Sequence, residues 1–210
     1  MAGALVAAAV AAGITVAATN WPLGEPAPPA VVSDFRSYAT QLGFNPHAGR
    51  ARLVAAADEI ALYATTTRQG TYCTVVATPW RGGKTMGDGG TCASRETAAE
   101  PIAAGIRDTS RIDHDGNVTY AIVGRVLDPA AGSVRFADPK GGVIETRIGE
   151  DGLFVAGLEV EHCPDRDWTP TFTALNGDTE IARADILLVK VYPKLGGCGF
   201  PVGPHGPYDD

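Results

Sequence analysis

Four short stretches of this 210-residue chain bring together side chains that could do chemistry. The first, Gly82, Gly83, Lys84 and Thr85, is the closing half of a phosphate-binding loop, in which backbone amides and a lysine cradle the phosphates of a nucleotide. The run TYCTVVATP before it supplies the strand that such a loop needs. The opening glycine of the pattern, however, falls on Thr78, and the MGDGG after the lysine cannot form the helix whose first amides complete the cradle. No nucleotide site, and no other cofactor, is therefore expected. The second stretch, DHDGN, sets Asp113, Asp115 and Asn117 at the opening spacing of a calcium loop. Its sixth position is Val118 instead of glycine, and its twelfth, where a bidentate glutamate belongs, is Gly124, so an Asx-type turn explains it better. Asn117 also opens a glycosylation sequon with Thr119, which matters only in a host that glycosylates exported proteins.

The third set, His162 and Cys163 with Cys198 and His205, has the ligand chemistry of a zinc site. Adjacent ligands seldom both turn toward one metal, and thiols exported from the cytoplasm oxidise readily, so a Cys163–Cys198 disulfide is expected and no metal. The fourth is the acidic pair Asp165 and Asp167 beside Trp168, in which carboxylates could bind sugar hydroxyls and the indole could stack on a sugar face. An exposed acidic loop with Trp168 tucked against a sheet edge accounts for the same residues. If a partner docks on the outer part of the chain, Asp165, Asp167 and above all Trp168 are the expected contacts, because tryptophan is enriched among residues that dominate binding energy. His47 and His114 have no evident partner and read as surface residues. No serine sits in a G-x-S-x-G elbow and no H-E-x-x-H occurs, so no catalytic residue is expected and the chain does not read as an enzyme.

Charge and address narrow the classes further. With 24 acidic and 17 basic residues the net charge is −7, which repels phosphate backbones and excludes nucleic acid as a partner. Residues 1–19 form an uncharged, alanine-rich apolar run, about the minimum to cross a hydrocarbon core. Membrane anchor and cleaved signal both fit it. Ala17 and Ala18 resemble the small residues of a cleavage site, whereas the basic flank of a signal peptide is missing, as it would be if coding sequence lay upstream of Met1. Either way the rest is expected outside the cytoplasm, anchored or secreted, where cysteines pair. No cysteine lies close enough to the run to carry a lipid anchor.

The elements that must position these residues fall into sections. Residues 20–31 carry Pro22, Pro26, Pro28 and Pro29 and read as an extended stalk. Residues 32–112 read as a small α+β unit. Ser33 is an expected N-cap of a helix whose Phe35, Tyr38 and Leu42 share one face and which Gly43 stops, and a second helical stretch is expected from about His47 to Ala57. EIALYATTT and TYCTVVATP then form a hairpin around Gly70. A Cys73–Cys92 disulfide would close a loop of about twenty residues and tie the glycine-dense segment after the hairpin to the sheet. Residues 113–192 show recurrent short strands, VTYAIVGRVL, SVRFADP, GVIETRIG, GLFVAGLEV, TFTALN and EIARADILLVKVY, separated by Pro-Gly, Asp-Gly and Asn-Gly turns. That spacing favours an antiparallel β-sandwich, and residues 193–210 follow as a Gly/Pro-rich tail. The fold class expected is mainly β with some α.

The pattern GRVLDPAAGSVRF, GEDGLFVAGL and TFTALNGDTEIAR resembles the small prealbumin-like or carboxypeptidase-regulatory-like sandwiches of exported proteins, over residues 118–190. The whole chain is similar to membrane-anchored or secreted bacterial proteins that join an apolar helix, a Cys-containing hairpin domain and a terminal sandwich. The resemblance implies a fold and a location; its turn and core motifs carry no catalytic residue. The function expected is a noncatalytic extracytoplasmic module that binds a protein or another component of the cell envelope. The alternatives are the outer, sensory part of a membrane-bound regulator and, third, an enzyme acting on glycans through the Asp165 to Trp168 loop.

Overall fold

Prolines open the first element instead of preceding it. In the computed structural model, which describes residues 23–57, 60–79, 85–92, 98–112, 118–160, 164, 166–192 and 197–199, helix α1 spans Pro29–Leu42. Pro29 is tolerated in the first turn because that amide has no intrahelical acceptor to lose. Ser33 is consequently inside the helix, not its cap, and its carbonyl accepts the Ser37 hydroxyl at 3.2 Å. Gly43 ends α1 in the left-handed conformation at φ 71°, as its position implies. Residues 1–19, read as the membrane segment, lie outside the described residues. Among the described residues no helix is long and apolar enough to cross a membrane.

The stretch expected to stand as a stalk is partly bound to the body. The Gly24 amide donates to the Leu53 carbonyl at 2.8 Å, the Leu53 amide to Glu25 at 2.9 Å, and the Ala27 amide to Ala51 at 2.9 Å. This segment runs antiparallel along β1 (Arg52–Ala57), with Pro26 bridged to Arg52. A proline-rich strip suits such a margin, since it offers few donors to which a further strand could add.

The expected second helix is replaced by β1 and a single 3-10 turn at Ala48–Arg50. Its apolar residues at three- and four-residue spacing do lie inward, but as a strand whose pairing with β2 (Ile60–Thr66) is interrupted between Leu53 and Ala55. The irregularity lets Leu53 face α1 while Val54 and Ala55 both face the opposite layer. The backbone of Gly149 presses on this bulge, where a Cβ would lie 1.9 Å from the Val54 carbonyl oxygen. β2 and β3 (Tyr72–Pro79) form the expected hairpin, with Gly70 at φ 83°. β4 (Thr85–Cys92) completes an antiparallel sheet in the order β1-β2-β3-β4.

β5 (Ile102–Ile112) pairs with β6 (Val118–Val126), and β6 with β9 (Leu153–Val160), in a second antiparallel sheet. The expected boundary between residues 112 and 113 thus falls between two paired strands of one sheet. A third sheet has the order β11-β10-β7-β8, from β7 (Ser133–Ala137), β8 (Val143–Arg147), β10 (Thr171–Asn176) and β11 (Thr179–Asp185). The last two described strands, β12 (Lys190–Tyr192) and β13 (Gly197–Gly199), form a short ribbon. The protein is mainly β, with antiparallel sheets and one α-helix among the described residues.

The layers stack as helix, sheet, sheet, sheet. Val31 and Phe35 of α1 bury against Leu53, Tyr63, Val75 and the Cys73–Cys92 pair. The other face of that first sheet, through Ile60, Leu62 and Val76, packs on Ala121, Val123, Leu153 and Val155 of the second. The second sheet in turn offers Ile122, Phe154 and Leu158 to Val134, Phe136 and Phe172 of the third. Both inner sheets are therefore apolar on both faces, which is why LFVAGL and IALYA read as continuous runs.

Candidate functional site

The third sheet turns one face to solvent, and its polar residues converge there on a hollow of about 390 Å³. Alternation along a strand puts Ser133 and Arg135 of β7 on one side, and the register sets Glu145 opposite Arg135 and Arg147 opposite Ser133. The rim is completed by Gly132, Gly177 and Asp178, the last two from the tight turn between β10 and β11. Asn176 and Thr179 pair directly, and Gly177 supplies the φ of 58° that this connection requires.

Glu145 is the centre of the array. The Ser133 hydroxyl donates to its Oε1 at 2.8 Å, and Arg135 donates to Oε2 through Nε at 3.1 Å and through a terminal nitrogen at 2.9 Å. Partial burial works against the charged form, but the bonds from Arg135 and Ser133 and the guanidinium charge prevail, so the carboxyl is held below its ordinary range. With both oxygens engaged and the charge held, Glu145 is suited to fixing a surface shape, not to moving a proton at neutral pH. Thr146, the next residue, points the other way and donates its hydroxyl to the Val155 carbonyl at 2.7 Å, tying the third sheet to the second.

A second polar cluster joins the first and second sheets to the turn between β8 and β9. Arg52 on β1 reaches Glu150 Oε2 at 2.8 Å and Asp151 Oδ2 at 3.0 Å. Arg125 on β6 donates to the Asp151 carbonyl at 3.0 Å and lies 4.9 Å from the centre of the Tyr72 ring. Burial, followed by the Asp151 charge and hydrogen bond, raises the Tyr72 phenol above its usual range, against smaller opposing effects of the two arginines. Asp151 takes a left-handed backbone at φ 58° in the turn that carries these groups. The cluster joins four segments of the chain, at Arg52, Tyr72, Arg125 and Glu150–Asp151.

The residues singled out by sequence fall differently. Cys73 and Cys92 are bonded, directly opposite each other on β3 and β4, so the bridge is a cross-strand link inside the sheet and the segment after Lys84 is itself a strand. That strand occupies the place where a phosphate-binding loop needs a helix; Gly82, Gly83 and Lys84 lie outside the described residues. So do Asp113 to Asn117, His162, Cys163, Asp165 and His205. Cys198 pairs through its backbone with Val191, while its side chain lies outside the described part. Among the described residues no group of three His, Cys, Asp or Glu side chains could hold a metal ion.

Asp167 and Trp168 are placed clearly. Asp167 Oδ1 accepts the Val191 amide at 2.7 Å and so anchors β12. The Trp168 amide donates to Val189 at 2.9 Å, and its carbonyl accepts Leu188 at 3.0 Å, continuing the β10–β11 ladder. Its side chain, 9% exposed, belongs to the core with Phe172, Ile186 and Leu188. The indole expected to meet a partner is thus packed inside, because its backbone bridge to Val189 turns it under the third sheet. Ser133, Arg135 and Glu145 belong to no sequence motif, although counting outward from the Asp138 to Gly142 turn sets Arg135 opposite Glu145. No family model, no curated protein and no solved structure matches the chain, and the functional reading rests on this geometry.

Proposed function

We propose that the protein is a noncatalytic extracytoplasmic module that binds a protein or another cell-envelope component through the outer face of its third sheet. The observation that carries this reading is the Ser133–Glu145–Arg135 array: a charged group with every oxygen engaged, fixed on a sheet beside a hollow, is a preorganised surface for recognition. The buried Cys73–Cys92 bridge supports an oxidising compartment. In this reading the second and third sheets form the sandwich of prealbumin-like or carboxypeptidase-regulatory-like type, and residues 1–19 anchor or export the chain.

A photo-crosslinking side chain at Asp178, on the rim of the hollow, tests the proposal in intact envelopes, with the same group at exposed Arg36 on α1 as the control. The expected result is a discrete adduct from position 178 that the Glu145→Gln variant weakens, and none from position 36. Equal labelling at both positions, or an adduct indifferent to Glu145→Gln, would overturn the assignment of this face.

A further inference from the structure

Strand β4 has little of its own to keep it in the sheet. Its sequence TMGDGGTC contains Gly87, Gly89 and Gly90, residues that weaken a strand by entropy and contribute no side chain to packing. Its ladder with β3 is broken: Val76 pairs with Gly89 and Ala77 with Gly87, leaving Asp88 as an unpaired extra residue. It is also the outermost strand, so one edge alone is paired within its sheet. Two features compensate. Helix α1 lies across β4 and β3, and the Cys73–Cys92 bond joins the first pair of the ladder. The bond is buried within the same apolar cluster as Val31 and Phe35, with Cys73 1% and Cys92 6% exposed.

We propose that the Cys73–Cys92 bond is a redox latch that holds β4 on the first sheet. A dithiol reductant opens it by two exchanges. One reductant thiolate attacks a cystine sulfur, forming a mixed disulfide and releasing the other cysteine as a thiolate, which takes up a proton. The second reductant thiol then displaces the first cysteine. The protein gains two electrons and two protons as two thiols, and the reductant leaves as its own disulfide. Without the bond, β4 keeps an interrupted, glycine-rich ladder on one edge, and its detachment uncovers the β3 edge beneath it. The other two sheets keep their cores, since the clusters that bury Ile122, Phe154 and Phe172 do not include the bridge.

Hydrogen exchange read peptide by peptide on the full chain, with and without dithiothreitol at neutral pH, tests the latch. A Cys73→Ala/Cys92→Ala variant and native-state alkylation accompany it. The expected result is two alkylated thiols after reductant, with the amides of Thr85–Cys92 exchanging about a hundredfold faster, the factor that closing a loop of this size implies. Amides of β6, β9 and β10 should keep their protection. Unchanged exchange after reduction would make the bond a redundant staple. Loss of protection across all three sheets would make it a support of the whole fold. A bond that resists dithiothreitol while the double-alanine variant loosens would mean that no reductant reaches it. Each of these three results overturns the proposal.

Discussion

Substituting Gly124 by alanine probes how closely the second and third sheets stack. Gly124 lies in β6, between Ala104 of β5 and Phe154 of β9, and the Phe154 ring covers it. A Cβ at this position would stand 2.1 Å from Phe154 Cζ and 2.6 Å from the Ala103 carbonyl oxygen. Carbon atoms in contact prefer about 3.5–4 Å, so the ring would have to retreat by roughly 1.5 Å. It has nowhere to go. Phe154 is fully buried, its ring centre is 6.2 Å from that of Phe172, and Phe172 stacks on Phe136 at 4.7 Å. The second clash is with backbone that β5 holds in its ladder. Overpacking of this kind costs about 1–3 kcal/mol, and the fixed carbonyl argues for the upper end, outweighing the roughly 0.4–1 kcal/mol by which alanine restricts the unfolded chain. For a chain of this length about 3 kcal/mol lowers the midpoint by roughly 6–12 °C. Urea titration and calorimetry of Gly124→Ala, Phe154→Leu and the double variant measure it. The double should lose about 1 kcal/mol less than the two singles combined, since leucine removes the obstructing ring edge. A Gly124→Ala midpoint within a degree of the parent, or strict additivity, would refute the account of how the second and third sheets meet.

Two further outcomes follow from the described geometry. Trp168→Ala should cost about 3 kcal/mol by cavity formation, seen as a midpoint lower by roughly 6 °C or more; an unchanged midpoint with a lost binding partner would return the indole to the surface. Because the folded-state pKa of Glu145 is depressed, its contribution is complete above the ordinary value of 4.5 and is lost as pH falls through the lower folded value. The parent should therefore lose more stability than Glu145→Gln between pH 5 and 3, which thermal melts across that range decide, and parallel curves would show that the Ser133–Arg135 array does not hold the charge.

Local chemistry in the chain specified much of the outline. Gly70, Gly141 and Gly177 mark turns because left-handed backbone is cheap only without a Cβ, and Asp138, whose carboxylate accepts the amides of Lys140 and Gly142 at 2.8 Å each, closes the β7–β8 hairpin from its own side chain. Along the same hairpin Val134 and Phe136 share one face, and both enter the core. The Leu53, Val54 and Ala57 spacing points to a helix at 52–57, and it is pairing with Ile60–Thr66 across a bulge that makes this segment β1 instead. β4 was illegible for the opposite reason: its glycines have no strand preference, and its place comes from Cys73 and α1, partners far from any local signal. Trp168 could have faced water or core until Val189 paired with it. The number of layers was written into the composition of the strands but not into their order. A strand apolar on both faces demands two neighbours, and only the tertiary structure decides which sheet lies on each side, because burial of apolar surface has no direction and long-range closure selects among the faces available.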